Sequence, residues 1–326
     1  MTTKNSTEYT PRDLVGYGGS TPDPQWPGGA KIAISLVLNY EEGSEATPVN
    51  GDAATEVLGS ELGPGVLPFD DGQRDVNMES LYEYGSRAGV WRILRLFEQY
   101  QVKCTAYAVG QAMLLNPSVG AALQKAGHEA ASHGWRWIDR SAWSVEEEKE
   151  FAKKAIRAIK QTAGQEPRGW YYGNVSARSG QRARALIADV YREEGLELKY
   201  YSDSYSDDLP YWVPMPGGEA KEGLLIIPYT LDNNDYREAR YNGFQSPTAF
   251  ADYLIGAFDE LYAEGVAGAP KMMSIGLHCR LVGRPGRIGG LRKFLEHAKG
   301  KEGVWFATRE EIADHWKARF PYAPGA

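Results

Sequence analysis

Short apolar runs and segments with helical periodicity alternate along this 326-residue chain, without a composition break or an internal repeat. Lys31 to Asn39, Cys104 to Val109 and Met272 to His278 are nearly continuous apolar runs, which is typical of strands buried on both faces. A helical pattern follows Ser144, with Glu147 completing a capping-box signature. This alternation predicts an α/β fold, and a single barrel of about seven parallel strands is its simplest form.

The barrel is predicted to fill residues 31–326 as one domain, behind an irregular Gly- and Pro-rich arm at residues 1–30. Residues 43–78 have no period that indicates a helix or a strand, and a loop of that length is usually a lid, a subunit contact or a disordered segment. A doubly wound open sheet is the alternative, but no Gly-x-Gly-x-x-Gly motif follows the first strand.

Composition narrows the classes of partner. The chain has 43 acidic and 36 basic residues, a net charge of -7, and no basic cluster, which argues against nucleic acid. No apolar run approaches the roughly 20 residues of a membrane helix, and the N-terminus lacks a signal-like core, so we expect a cytoplasmic protein without a membrane partner. Cys104 and Cys279 lie in strand-like contexts and are expected to be buried free thiols.

Polar residues follow several of the predicted strands at the same end. The stretch Gly127 to Trp137, GHEAASHGWRW, reads as a short buried strand that ends at His133. Glu41 and Glu42 follow the first strand, and His278 ends another. A lone histidine is more often a hydrogen-bonded core residue, but ligands and catalytic groups collect at the carboxyl ends of parallel strands. Their recurrence at this edge predicts an active site.

Seven long, collinear stretches give the chain a resemblance to a known family: PRDLVGYG, LNYEEG, MESLYEYGSRAGVWRIL, SHGWRWID, DSYSDDLPYW, IPYTLDNND and SIGLHCR. They resemble the polysaccharide deacetylase superfamily, with its NodB-type distorted (β/α) barrel, and within it the branch of the PuuE-type allantoinases. The resemblance runs from about Pro11 to Trp316. It implies a catalytic barrel that hydrolyses the hydantoin ring of allantoin to allantoate in purine catabolism.

The resemblance departs from the deacetylase pattern at the metal ligands. Deacetylases of this type begin with two aspartates, a base and a metal ligand, where this chain has Glu41 and Glu42. Their second motif places two histidines on the metal, where this chain has His133 and then Trp137, whose indole cannot ligate a divalent ion. Because a catalytic zinc normally holds three protein ligands, no tightly bound metal or other cofactor is expected. The alternative is zinc on Glu42 and His133, with Asp203 or His278 recruited.

Without a metal, side chains must activate water and stabilise the oxyanion. Glu42 by preference, and otherwise Glu41, is expected to take a proton from water while His133 positions or shares it. Adjacent strand residues point to opposite sides, so one of the two glutamates is open to a structural role. His278 resembles the last histidine of the family and is expected to protonate the departing ring nitrogen.

Six further residues are predicted to contact the substrate. We expect the carboxylates to accept ureido N–H groups, the arginine to hold a carbonyl and the aromatic rings to form flat walls. These residues are Trp137, Trp170, Tyr172, Asp203, Asp207 and Arg280.

Three other functions remain open. A cyclic imide hydrolase would need the same base and acid. A metal-dependent N-deacetylase acting on chitin-like oligosaccharides would need the ligand that Trp137 replaces. A barrel without activity could bind a partner through residues 43–78. The small-molecule substrate allantoin is the expected partner, and the long arm and loop favour a homo-oligomer.

Overall fold

A curled, mostly parallel β-sheet forms the body of the computed structural model, which describes residues 12–59, 72–140, 142–173, 177–239 and 243–324. The predicted arm and the long loop therefore lie partly outside the described residues, at residues 1–11 and 60–71. The α/β barrel prediction is confirmed, with the sheet curled into a half-barrel. The division into an arm and one barrel domain stays a prediction.

The sheet has nine strands in the described part of the chain, against the predicted seven or so. Their order is β6-β7-β5-β4-β3-β2-β1-β8, and β9 pairs with β1. All pairs are parallel except β6 with β7, which run antiparallel. Strand β6 was not predicted from the sequence. The strands are β1 (Ile32–Tyr40), β2 (Thr105–Ala108), β3 (Glu129–Ser132), β4 (Gly169–Trp170), β5 (Tyr200–Tyr201), β6 (Tyr211–Pro214), β7 (Gly223–Ile226), β8 (Lys271–His278) and β9 (Val304–Phe306).

Helices connect the strands and cover the outer face of the sheet. Ser144 and Glu147 form the predicted capping box at the start of the fifth helix. A single π-helical turn, Gly85–Gly89, joins the first two helices behind the end of β8. The α-helices are α1 (Val76–Tyr84), α2 (Val90–Tyr100), α3 (Gly110–Leu115), α4 (Pro117–Lys125), α5 (Val145–Ala163), α6 (Ala177–Glu193), α7 (Pro247–Val266), α8 (Ile288–Lys299) and α9 (Arg309–Arg319).

The two-residue period of the strands sorts side chains between the barrel interior and the helix layer. In β1, Leu38 and Tyr40 belong to the core between sheet and helices, whereas Val37 packs inside the barrel. In β8, Leu277 faces the helices. By the same alternation, Glu41, just after β1, and His278, at the end of β8, point toward the barrel interior.

Aromatic rings and one arginine fill the barrel interior. Tyr107, Tyr200 and Tyr229 lie in the inner cluster with Trp316 of α9. Arg309, at the start of α9, is fully buried among them and donates hydrogen bonds to Ser202, Ser274 and the carbonyl oxygens of Ile227 and Pro228. At the end opposite the strand carboxyl ends, Trp316 packs on Trp26, whose indole N–H donates to the carbonyl oxygen of Lys271 at the start of β8.

The two cysteines are buried free thiols, as predicted. In the described ranges no helix combines the length and the apolar character that crossing a membrane requires.

The close approach of the π-helical turn to β8 generates a stability prediction. A side chain on Gly89 would overlap the carbonyl oxygen of Cys279, so Gly89→Ala should lower the free energy of unfolding by about 1–3 kcal/mol through overpacking. Gly256→Ala is the control, since Gly256 is exposed in α7 with open space around it and the change should stabilise by up to ~1 kcal/mol. Denaturant unfolding measures both; equal effects would contradict the packing account.

Candidate active site

Four side chains from three strand ends meet at the carboxyl edge of the sheet. Glu41 Oε1 lies 3.3 Å from Nε2 of His133 and 3.7 Å from Nε2 of His278. Its other oxygen, Oε2, lies 2.7 Å from Nη1 of Arg280. All four side chains are buried. The structure thus brings together Glu41, His133, His278 and Arg280 of the predicted residues, with Glu41 in the middle.

His133 is fixed in one orientation by the backbone of the neighbouring strand. Its Nδ1 lies 2.9 Å from the carbonyl oxygen of Tyr171. A carbonyl can only accept a hydrogen bond, so Nδ1 carries the proton. Nε2 is therefore the nitrogen that can gain or lose a proton, and it faces Glu41.

His278 is held in the same way by a carboxylate that sequence analysis missed. Its Nδ1 lies 2.7 Å from Oδ1 of Asp235, which is fully buried in a short 3-10 helix, Asp235–Ala239. The other oxygen of Asp235 accepts hydrogen bonds from the backbone N–H groups of His278 and Val282. Nε2 of His278 is thus the nitrogen that faces Glu41. The signal for Asp235 was its place in the stretch IPYTLDNND.

Arg280 is enclosed on every side that the structure describes. Its Nε donates to the carbonyl oxygen of Gly59 at 3.1 Å, and its guanidinium lies 4.3 Å from the ring centre of Tyr82. Burial by itself would raise the pKa of Glu41, but Arg280 and the two histidines outweigh it and hold the pKa well below its usual range. The Nη1 of Arg280 bonds Glu41, and the prediction that Arg280 holds a substrate carbonyl stays a prediction.

Glu42 points away from the histidines, which corrects the preference for it as the base. It lies on the opposite side of the chain from Glu41, against Gly85 of the π-helical turn. Its Oε2 accepts from the backbone N–H of Glu41 at 3.0 Å, and its buried Oε1 has no hydrogen-bond partner among the described residues. Burial raises the pKa of Glu42 to about 7. The zinc ligand pair Glu42 and His133 is likewise not brought together.

Trp170 and Tyr172 are core residues, which corrects the prediction that they contact substrate. Both are buried in the cluster between the sheet and helices α5 and α6, and their rings pack edge to face at 5.1 Å. Because β4 alternates, the residue between them faces inward. Tyr171 stacks on His133 at 5.1 Å and on Tyr107 at 4.7 Å. The inward-facing residue is thus Tyr171 and not its predicted neighbours. The sequence did not reveal this, because strand side chains alternate between faces and every residue in the run WYY is aromatic.

Of the three remaining predicted residues, Asp203 and Trp137 lie on loops beside the site, whereas Asp207 lies beside Gly16 and Tyr17 near the start of β8, at the other end of the sheet, which corrects the prediction that it contacts substrate. The carboxylate of Asp203 accepts from the backbone N–H groups of Tyr172 and Gly173, so it holds the loop after β4. Burial raises its pKa. Asp207 accepts from the N–H of Leu209, and in the described part of the chain no hydrogen bond or ion pair joins it to Glu41 or the histidines. Trp137 is half-buried, and its backbone N–H donates to the loop after β1.

The side chains present do not fit the metal ion that the deacetylase resemblance implies. Trp137 stands at the second histidine position, and Arg280 already occupies one oxygen of Glu41. No group of three or more His, Cys, Asp or Glu residues in the described ranges is arranged to hold a metal ion. No chemical step is therefore assigned to a metal, and the expectation that none is tightly bound stays a prediction.

Comparison with known proteins gives consistent matches. The family model described as polysaccharide deacetylase matches residues 65–190. A relative from Schizosaccharomyces pombe named "Putative polysaccharide deacetylase" is 47% identical over 323 residues, 96% of this chain and 99% of the relative. The crystal structure of PuuE allantoinase is 50% identical, with a TM-score of 0.88, 96% of this chain and 99% of that chain covered. A probable polysaccharide deacetylase from Pseudomonas aeruginosa PAO1 is 48% identical, with a TM-score of 0.88 over 96% of this chain and 100% of that chain. These likenesses confirm the NodB-type barrel.

The buried Glu42 predicts a pH dependence of stability. Its pKa is about 7 in the folded chain and about 4.3 when unfolded, so between these values only the unfolded state loses the proton, and stability falls as pH rises. Glu42→Gln should remove about 3 kcal/mol of the fall in the free energy of unfolding across this window.

The measurement is denaturant unfolding at a series of pH values from 4.5 to 8. Glu147→Gln is the control: hydrogen bonds from Ser144 lower the pKa of Glu147, which lies far from Glu42, so its change should leave the slope in this window as it is. An unchanged slope in Glu42→Gln would contradict a neutral, buried Glu42.

Proposed function

The chain belongs to the polysaccharide deacetylase family and is a hydrolase of that superfamily, and we propose that it opens the hydantoin ring of allantoin to give allantoate. The observation that carries the proposal is the Glu41 cluster, in which two histidines with fixed Nδ1 protons face one carboxylate. Two such histidines can take one proton from water and deliver another proton to the leaving nitrogen. Amide hydrolysis requires both transfers.

The proposed base is Nε2 of His133, with Glu41 as its partner. A carboxylate whose pKa is held well below the usual range is a weak proton acceptor, so Glu41 does not suit the role of base that the sequence suggested. Its negative charge instead stabilises the imidazolium that His133 becomes. Water gives its proton to His133, and its oxygen bonds to the ring carbonyl carbon.

The proposed acid is Nε2 of His278. Asp235 holds its Nδ1 at 2.7 Å, and the same ring faces the Glu41 side of the site. When the tetrahedral intermediate collapses, the carbon–nitrogen bond breaks and His278 delivers a proton to the departing ring nitrogen.

The aromatic interior supports a small, flat substrate. Tyr171, which stacks on His133, packs edge to face on Tyr229 at 4.7 Å, and Tyr107 packs on both. The ring centres of Tyr171 and Tyr107 lie 5.1 and 6.0 Å from that of His133, so flat aromatic surfaces adjoin the proposed base. The 50% identity to PuuE allantoinase over 96% of the chain supports allantoin as the ring compound that fits there.

The substrate prediction is tested with a panel of allantoin, hydantoin, succinimide and a chitin oligomer. After exhaustive chelation, the purified protein should release allantoate, with its highest kcat/KM on allantoin. A preference for succinimide would favour the cyclic imide alternative. Acetate release from the chitin oligomer that returns only with zinc would favour the deacetylase alternative and overturn the proposal.

The roles of the carboxylates and histidines are tested by kinetics of four variants. Glu41→Gln, His133→Asn and His278→Ala should each lower kcat by at least ~100-fold, the usual contribution of acid–base groups. Glu42→Gln is the neighbouring control and should stay within about tenfold of the unaltered chain, because its side chain is on the other face. A larger loss in Glu42→Gln than in Glu41→Gln would reverse the assignment.

A further inference from the structure

Two distances from Glu41 come near the spacing of ligands on one zinc ion, although no three such residues in the described part of the chain are arranged as a metal site while Arg280 is present. In a tetrahedral zinc site with bonds of about 2.0–2.1 Å, neighbouring ligand atoms are about 3.3–3.4 Å apart. Glu41 Oε1 lies 3.3 Å from Nε2 of His133 and 3.7 Å from Nε2 of His278. This set differs from the metal set of the deacetylases, since it uses His278 and the other glutamate.

The groups that accept hydrogen bonds from Nδ1 of the two histidines are also those typical of metal-bound histidines. Metal-ligating histidines usually donate their second N–H to a carboxylate or a backbone carbonyl. His133 donates to the carbonyl oxygen of Tyr171 and His278 to the carboxylate of Asp235. Both Nε2 atoms therefore keep the orientation that a ligand would need.

One feature sets this cluster apart from a metal site, and it is the charge of Arg280. Its Nη1 lies 2.7 Å from Glu41 Oε2, and its side chain is 1% exposed. A guanidinium stays charged at every accessible pH, and burial weakens the screening of its field. Gly59 and Tyr82 hold it in this position. A divalent ion on Glu41 would therefore face a fixed positive charge at close range.

We propose that the Arg280 guanidinium is a built-in cation that takes the electrostatic place of a metal ion at Glu41. It balances the buried carboxylate and prevents a divalent ion from binding between Glu41, His133 and His278. This inference does not depend on which ring the protein hydrolyses.

The test is to remove the charge and measure metal binding. Arg280→Met, freed of metal by chelation, is titrated with Co²⁺, and visible absorption and bound metal after gel filtration are recorded. We expect about one Co²⁺ per chain, with the bands of a four-coordinate site. Affinity should exceed that of the unaltered chain by at least ~100-fold, because a close like charge has been removed.

Two controls distinguish the loss of the positive charge from the space that the smaller side chain leaves. Arg280→Lys retains a positive charge and should bind no more Co²⁺ than the unaltered chain. The double variant Arg280→Met/His133→Asn lacks a ligand and should lose the bound Co²⁺ of the single variant. Equal binding in Arg280→Lys and Arg280→Met would overturn the proposal, as would stoichiometric metal in the unaltered chain.

Folding of the variants is part of the same test. Arg280→Gln, whose amide can still donate to Glu41, is the second neutral variant, and thermal unfolding is measured with and without Zn²⁺. Zn²⁺ should raise the melting temperature of the neutral variants only, since it restores the missing charge. A folded neutral variant that stays metal-free contradicts the proposal, and so does failure of both to fold with Zn²⁺ present.

Discussion

The Glu41 carboxylate is buried, and the arrangement of the site follows from the need to balance its charge. An ionised carboxylate without a partner in a protein interior is strongly destabilising, whereas one with an ion pair and hydrogen bonds is tolerated. Arg280 supplies the ion pair at 2.7 Å, and the two histidines face the other oxygen. Each of these three partners is in turn oriented by a hydrogen bond of its own, to Tyr171, Asp235 or Gly59.

This cluster ties together segments that are distant in the sequence. Glu41 and Arg280 are 239 positions apart, and Glu41 and His133 are 92 apart. Parallel pairing makes the meeting possible, because β1 lies directly beside β8 and only β2 separates it from β3. The carboxyl ends of the parallel strands then lie at one edge, while Trp316 of α9 packs on Trp26 at the opposite end, near the start of β8.

The chain keeps the deacetylase barrel and changes the charges at its active edge. A histidine position of the superfamily holds Trp137, and a fixed arginine lies beside the glutamate that faces the histidines. In a metal hydrolase the ion would activate water and stabilise the oxyanion. In the proposed reaction, a pair of oriented histidines and a permanent cation take over these two tasks.

The sequence by itself determined the barrel class and the edge at which the site lies. Alternating strand and helix patterns indicate a parallel sheet, and charged or histidine residues after Asn39, Ser132 and Leu277 mark the ends of its strands. The resemblance further implied the type of reaction. These properties depend on local patterns that the chain carries whether or not it is folded.

Only the tertiary structure decided which residue of each neighbouring pair faces the site. Strands β1 and β4 are buried on both faces, so their apolar and aromatic runs carry no two-residue signal that would separate Glu41 from Glu42, or Tyr171 from Trp170 and Tyr172. Asp235 and the Arg280 ion pair also required folding, because contacts between distant segments leave no periodicity in the sequence. The sequence therefore identifies the candidate site residues, and the packing of the two faces of the sheet determines which of them face the site.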